Sequence, residues 1–155
     1  MSTFCCCMVT KIRVQIYNIL PYIFDKMTKL AIILFSGSSD KLQAASILTS
    51  GGAATDTKVR IFATFWGLMA LTKKGISPRI SADFKEFQDE TFKIMNEKKV
   101  PSWIELMKQA KSIGDVKFYA CSMTYDLFGL KRDDLLDIVD EGVGVGTFLE
   151  DAKDA

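Results

Sequence analysis

The chain has 155 residues, 48% of them hydrophobic and 25% charged, with only three prolines, which describes one folded domain able to bury a core without metal or disulfide staples. Twenty Lys and Arg against nineteen Asp and Glu leave a net charge of +1, so no surface is built to coat a phosphate backbone and nucleic acid is not an expected partner. Histidine is absent, which excludes every mechanism that needs an imidazole from this chain, including the Ser-His-Asp and Cys-His hydrolases and His-based zinc sites.

Residues 1–26 differ in texture from the rest and are read as an N-terminal extension. They hold Cys5, Cys6 and Cys7 in a row. Adjacent thiols are poorly placed to bridge one another or to chelate one tetrahedral ion, so neither a disulfide framework nor a metal site is expected. The uncharged stretch Val14 to Phe24 is too short to span a bilayer and contains Asn18 and Pro21. No secretory signal is expected, because the cysteines precede the apolar stretch. Three readings stand: an extra packed helix, an interfacial membrane anchor with an acylated Cys cluster, or translation starting at Met27. The first and last are preferred, because regular structure resumes directly after Met27. The free thiols point to a reduced, cytoplasmic setting.

From Met27 onward the chain alternates apolar runs with helical patterns. Lys29 to Phe35 reads as a strand buried on both faces, closed by Ser36-Gly37-Ser38-Ser39. Asp40 and Gln43 form a capping-box pattern, Leu42, Ala45 and Leu48 share a side, and Gly51-Gly52 ends that helix. Lys58 to Ala63 is the second strand, followed by Thr64-Phe65-Trp66-Gly67 and a short helix with a basic end at Lys73-Lys74. Between Gly75 and Val100 the helical spacing of Phe84, Phe87, Thr91, Ile94 and Met95 suggests a helical lid or insertion. Ser102 and Glu105 form an S-x-x-E capping box ahead of Trp103, Leu106, Met107 and Ala110, and Gly114 closes that helix. Val116 to Cys121 is the next strand, Ser122 to Leu127 a short helix, and Asp133 to Val139 a further helical turn or two. Gly142 to Gly146 leads into a last helix through Phe148. Strands alternating with helices imply crossover connections and a largely parallel α/β sheet covered on both sides.

Cys121 falls where an apolar strand ends and a helix begins, the end of an open α/β sheet at which ligands bind. A helix beginning at Ser122 would turn free N–H groups toward the thiol and raise its thiolate fraction. Equally, a lone cysteine there can be a small buried apolar residue. Without histidine, an acyl-enzyme hydrolysis lacks its proton shuttle, whereas sulfur exchange needs only a reachable low-pKa thiol and a good leaving thiol. No second cysteine lies near Cys121 in sequence, which disfavours an intrachain dithiol oxidoreductase. Ser36 and Gly37 sit where a strand-to-helix turn could offer amides to an anion, though a plain turn explains them too. The glycines Gly142, Gly144 and Gly146 lack phosphate-loop spacing and read as a short strand and helix entry. Phe65 and Trp66 either line a pocket at the end of the second strand or belong to the core.

Three stretches, FATFWGL (Phe62 to Leu68), VPSWIEL (Val100 to Leu106) and YACSMTYDLFGL (Tyr119 to Leu130) with Asp134-Leu135-Leu136-Asp137, taken with KLAIILFSGSSDKL, resemble the DsrE/DsrF-like (TusD-like) family of sulfur-relay proteins in its stand-alone, single-domain branch. The likeness runs from about Met27 to the C-terminus, so residues 27–155 are expected to form one DsrE-like α/β domain. The resemblance implies a flavodoxin-like three-layer sandwich with a mostly parallel sheet of four to five strands, assembled as trimers or hexamers. It also implies a cysteine that holds sulfane sulfur as a persulfide, and Cys121 occupies the matching position. The expected activity is that of a sulfurtransferase or sulfur carrier without a cofactor, served by rhodanese or TusA-like donor and acceptor proteins. Ser36, Gly37, Phe65, Trp66, Ser122 and Thr124 are the expected pocket lining. Two alternatives are a non-catalytic oligomeric binding module with an inert cysteine and a peroxiredoxin-like thiol protein.

Overall fold

The computed structural model of the protein describes residues 29–75 and 79–155; the N-terminal extension and its cysteines lie outside the described residues. The elements run β1 (Lys29–Leu34), α1 (Ser39–Ala54), β2 (Lys58–Ala63), α2 (Phe65–Ala70), a 3-10 turn (Ala82–Phe87), α3 (Gln88–Glu97), α4 (Trp103–Ile113), β3 (Val116–Cys121), α5 (Ser122–Leu127), a 3-10 turn (Arg132–Asp134), β4 (Glu141–Val143) and α6 (Val145–Asp151). The four strands form one parallel sheet in the order β1-β2-β3-β4. Leu34, Ala63 and Ala120 share one row of the register, so Phe35, Thr64 and Cys121 leave the sheet at the same edge.

Strand alternation sends every second residue to each face. The first face carries Leu34, Val59, Ile61, Ala63, Val116, Phe118 and Ala120, packed under Leu42 and Ala45 of α1, Leu68 of α2, and Met107 and Ala110 of α4. The second face carries Phe62, Tyr119 and Val143 under Phe148 of α6, with Cys121 against the same cluster. The rings of Phe62 and Phe148 stack at 4.9 Å. The expectation that the first strand is buried on both faces needs correction. Among the described residues α6 is the helix packed over the second face, and Ile33 of β1 is 51% exposed there. The sequential strand order explains this, because consecutive right-handed crossovers stepping in one direction place their helices on one side of the sheet.

The second face also holds a charged layer. Arg60, buried within β2, donates through Nη1 and Nη2 to the two oxygens of Asp115 at 2.9 and 3.1 Å. Its Nε lies 2.6 Å from Asp151 of α6, off the hydrogen-bond line, as a charge contact. Tyr119 donates to the same Asp151 oxygen at 2.5 Å, and Lys29 donates to the Asp151 carbonyl at 2.8 Å. Burial first, and the Asp151 carboxylate second, push the Tyr119 phenol well above its usual range. The C-terminal helix is thereby tied to three strands.

Several local expectations hold. The Ser102 and Glu105 capping box is present in both halves, with the Ser102 N–H donating to Glu105 Oε2 at 2.8 Å. Others are overturned by tertiary contacts. Asp40 and Gln43 do not cap α1: Asp40 accepts the N–H and hydroxyl of Ser81, and Gln43 donates to the Pro101 carbonyl. Gly51 and Gly52 do not end α1, which continues to Ala54. A Cβ at Gly52 would lie 2.7 Å from the Val59 side chain, so glycine there lets helix and sheet close together. Nor does a helix span Asp133 to Val139; after the Arg132–Asp134 turn, Leu135 forms an antiparallel bridge with Thr72.

Candidate functional site

The site begins with the exit of β3. Cys121 is its last residue and also the N-cap of α5, in extended conformation (φ −63°, ψ 117°). Its thiol is half-buried, covered on one side by the Phe62, Tyr119, Val143 and Phe148 cluster and otherwise reachable. Burial alone would raise the thiol. The amide and hydroxyl of Thr124, the hydroxyl of Thr64 and the amide of Met123 outweigh it and hold the thiol below its ordinary value. This is the effect expected of free N–H groups in a first helical turn. No Lys or Arg is among those causes; hydrogen-bond donors carry the shift.

Thr124 is fully buried and holds the site together. Its hydroxyl lies 3.0 Å from that of Thr64 and accepts the Phe65 N–H at 3.1 Å. The exits of β2 and β3 are thus joined directly beneath the sulfur. Phe65 has φ +44°, a left-handed conformation that costs a non-glycine residue energy, and the bond to Thr124 helps to hold it. Two residues on, a Cβ at Gly67 would fall 2.0 Å from the Leu34 carbonyl oxygen. Glycine is therefore required for α2 to begin against the end of β1. Thr64 completes that junction, its N–H donating to the same Leu34 oxygen at 2.9 Å.

The sequence-predicted residues divide into two groups. Thr124 and Phe65 join Cys121 in one hydrogen-bonded cluster, and Ser122 follows the cysteine with its side chain exposed. Trp66 stands beside them, 57% exposed, its ring 5.7 Å from that of Phe128. Phe65 and Trp66 therefore belong to the surface. Ser36 and Gly37 follow β1, two strands from Cys121, with the exit of β2 between them. The Ser36 hydroxyl meets Ser38, at 2.9 Å from its oxygen. Thr64, which the sequence reading passed over, is a member of the site; a threonine directly after an apolar strand was the available signal.

Around the thiol edge lie exposed apolar side chains: Phe65, Trp66, Met123, Leu127 and Phe128. Such a patch beside a half-buried thiol suits contact with another macromolecule. No helix among the described residues is long and apolar enough to cross a membrane.

Comparison with known proteins places this geometry in context. A model of the DsrE/DsrF/DrsH-like family matches residues 26–93 and 81–155. Uncharacterized protein YrkE of Bacillus subtilis (strain 168) is 35% identical over 153 residues, covering 84% of this chain and 94% of that protein. Sulfur carrier protein DsrE2 of Allochromatium vinosum is 31% identical over 150 residues, covering 82% and 94%. Among solved structures, a protein of unknown function from Methanobacterium thermoautotrophicum matches with a TM-score of 0.47 at 21% identity, over 79% of this chain and 88% of that one. With the family model spanning nearly all the described residues, the chain belongs to the DsrE/DsrF/DrsH-like family.

Proposed function

We propose that the protein is a sulfur carrier that holds sulfane sulfur as a persulfide on Cys121 and passes it to an acceptor thiol. The observation that carries this reading is the half-buried Cys121 thiol at the exit of β3, lowered by the Thr124 and Met123 amides and the two threonine hydroxyls. Family membership and the similarity to a sulfur carrier protein support it. In the loading step the Cys121 thiolate attacks the outer sulfur of a donor persulfide. A new S–S bond forms on Cys121, the donor S–S bond breaks, and the donor leaves as a thiolate, with no net oxidation. Unloading is the same exchange, with the acceptor thiolate as attacker and Cys121 as leaving group. No general base is needed, which suits a chain without histidine.

Within this reading, Thr124 holds the reacting sulfur, Ser122 follows it in the chain, Phe65 and Trp66 stand at the neighbouring exit of β2, and Ser36 and Gly37 lie at the outer end of the same sheet edge. The exposed apolar side chains at that edge suit a protein donor and acceptor of the rhodanese or TusA-like kind, and self-association into a homo-oligomer. A reducing cytoplasm would keep the thiol available. The domain that does this is residues 27–155. The test is to incubate the protein with a persulfidated donor or polysulfide and weigh it. Gain of one sulfur atom on the Cys121 peptide, lost in Cys121→Ser, is expected; sulfur gained equally by Cys121→Ser would place the load on other cysteines and overturn the reading.

A further inference from the structure

Away from the thiol, α1, α3 and α4 border an open groove of about 720 Å³. α1 and α4 cover the first face of the sheet, whereas Cys121 packs on the second. Its walls include Ala44 and Ile47 of α1, Phe92 and Met95 of α3, Val100, and Trp103 of α4. The hollow follows from how the chain is tethered. At one end of the segment that carries α3, Ser81 donates to Asp40 through its N–H at 2.9 Å and its hydroxyl at 2.5 Å. At the other end, the Pro101 carbonyl accepts from Gln43 at 3.2 Å. Asp40 and Gln43 lie three residues apart, on one side of α1. The intervening segment is therefore a strap pinned at both ends, and α3 within it buries no residue. The groove is open to solvent, with Ile47 and Val100 exposed on its walls, and has room for roughly two dozen waters at their liquid volume.

Charge selects what could displace that water. Asp40 and Glu105 both line the cavity, and among the described residues no Lys or Arg does. Asp40 stays below the usual carboxylate range because its bonds to Ser81 outweigh its burial, and Glu105 does so through the Ser102 hydroxyl and amide. An anionic ligand such as a fatty carboxylate, phosphate ester or sulfonate would meet two like charges across apolar walls. Trp103 and Phe92 offer aromatic rings to hydrocarbon or to a cation.

We propose that the cavity between α1, α3 and α4 binds an amphipathic organic cation, an amine whose hydrocarbon body lies between Ile47, Met95 and Trp103 and whose ammonium meets Asp40 and Glu105. The volume falls within the range of small-molecule pockets. Because this site is built from other elements than those around Cys121, its occupancy is independent of sulfur transfer.

A matched series tests the assignment on the full chain: 2-(1-naphthyl)ethylammonium, 2-(1-naphthyl)ethanol and 1-naphthylacetate, titrated by calorimetry at neutral pH. The ammonium is expected to bind at least about tenfold more tightly than the carboxylate, with the alcohol between. The double variant Asp40→Asn/Glu105→Gln retains acceptors for Ser81 and Ser102 and should bring ammonium and alcohol to equal affinity. Ala44→Phe from one wall and Met95→Trp from the other should each weaken the ammonium by about tenfold or more, with circular dichroism reporting the fold. Cys121→Ser should bind it as the wild type does. No saturable ammonium binding, a carboxylate that binds as well, wild-type affinity in both filled variants, or loss in Cys121→Ser would each overturn the proposal.

Discussion

The hydroxyls of Thr64 and Thr124 meet at 3.0 Å although the residues are 60 apart in sequence, and this contact closes the floor of the Cys121 site. Thr124 Oγ1 accepts the Phe65 N–H, and its own proton faces the Cys121 sulfur, so that Thr64 can donate across the contact between the two hydroxyls. One buried side chain thus joins two strand exits and holds the amide of a residue with positive φ.

Thr124→Val keeps the volume and removes the hydroxyl. It is expected to cost about 1–3 kcal/mol, the penalty for leaving the Phe65 N–H without a buried partner, and to raise the thiol toward its ordinary value. Urea unfolding and alkylation of Cys121 against pH check both effects. Wild-type stability with an unchanged profile would contradict the assigned role.

The thiol should titrate in a defined direction. Burial raises it, but the bonds to Thr124, Thr64 and the Met123 amide bring it below its unfolded value. Its ionised form therefore contributes stability that is complete above the unfolded thiol value of about 8.5 and is lost as pH falls through the folded one. Iodoacetamide should modify Cys121 in the folded protein at lower pH than in urea, read on its own peptide by mass. The stability difference between wild type and Cys121→Ser should narrow as pH falls. A folded midpoint at or above the unfolded one would contradict the geometry.

Gly67→Ala places a Cβ against the Leu34 carbonyl, at 2.0 Å without movement. Because backbone cannot yield as a flexible side chain does, the start of α2 must shift, at a cost of about 1–3 kcal/mol or more. Thermal unfolding should show the loss, with slower alkylation of Cys121 as Thr64 and Phe65 move. A variant as stable as wild type would show the junction to be looser than described.

Asp151→Asn tests the charged layer under α6. The Tyr119 hydroxyl first, against the effect of burial, and then Arg60 hold this carboxyl below its ordinary value. Its folded value is lower than its unfolded one, so the stabilisation is present above the unfolded value and lost as pH falls through the folded one. The variant should lose about 1–3 kcal/mol at neutral pH, with Asp115 still pairing Arg60. The difference should vanish in acid. Equal stability at neutral pH would remove Asp151 as the anchor of α6.

Features written in contiguous residues were legible in the sequence. The apolar runs of β2 and β3 ended where expected and β1 one residue early, at Leu34, and the Ser102 and Glu105 capping box needs only a three-residue spacing. Asp40 and Gln43 carry the same spacing, yet the strap offers them Ser81 and Pro101 as partners, which no local pattern encodes. Gly51 and Gly52 read as a stop, but packing against Val59 favours glycine inside the helix. Cys121 was legible because strand end and helix start are adjacent in sequence. Thr64 was not, because its partner comes from another strand exit. Arg60 within an apolar strand was the one visible sign of a buried charge with ion-pair partners.

The central claim concerns one sulfur atom, and mass spectrometry of the loaded protein addresses it directly. Wild-type protein treated with a persulfidated donor and then digested should carry one extra sulfur on the peptide containing Cys121. That sulfur should be released by dithiothreitol, and the equivalent Cys121→Ser peptide should carry none. A wild-type Cys121 peptide that remains unmodified while the donor keeps its sulfur would contradict the claim.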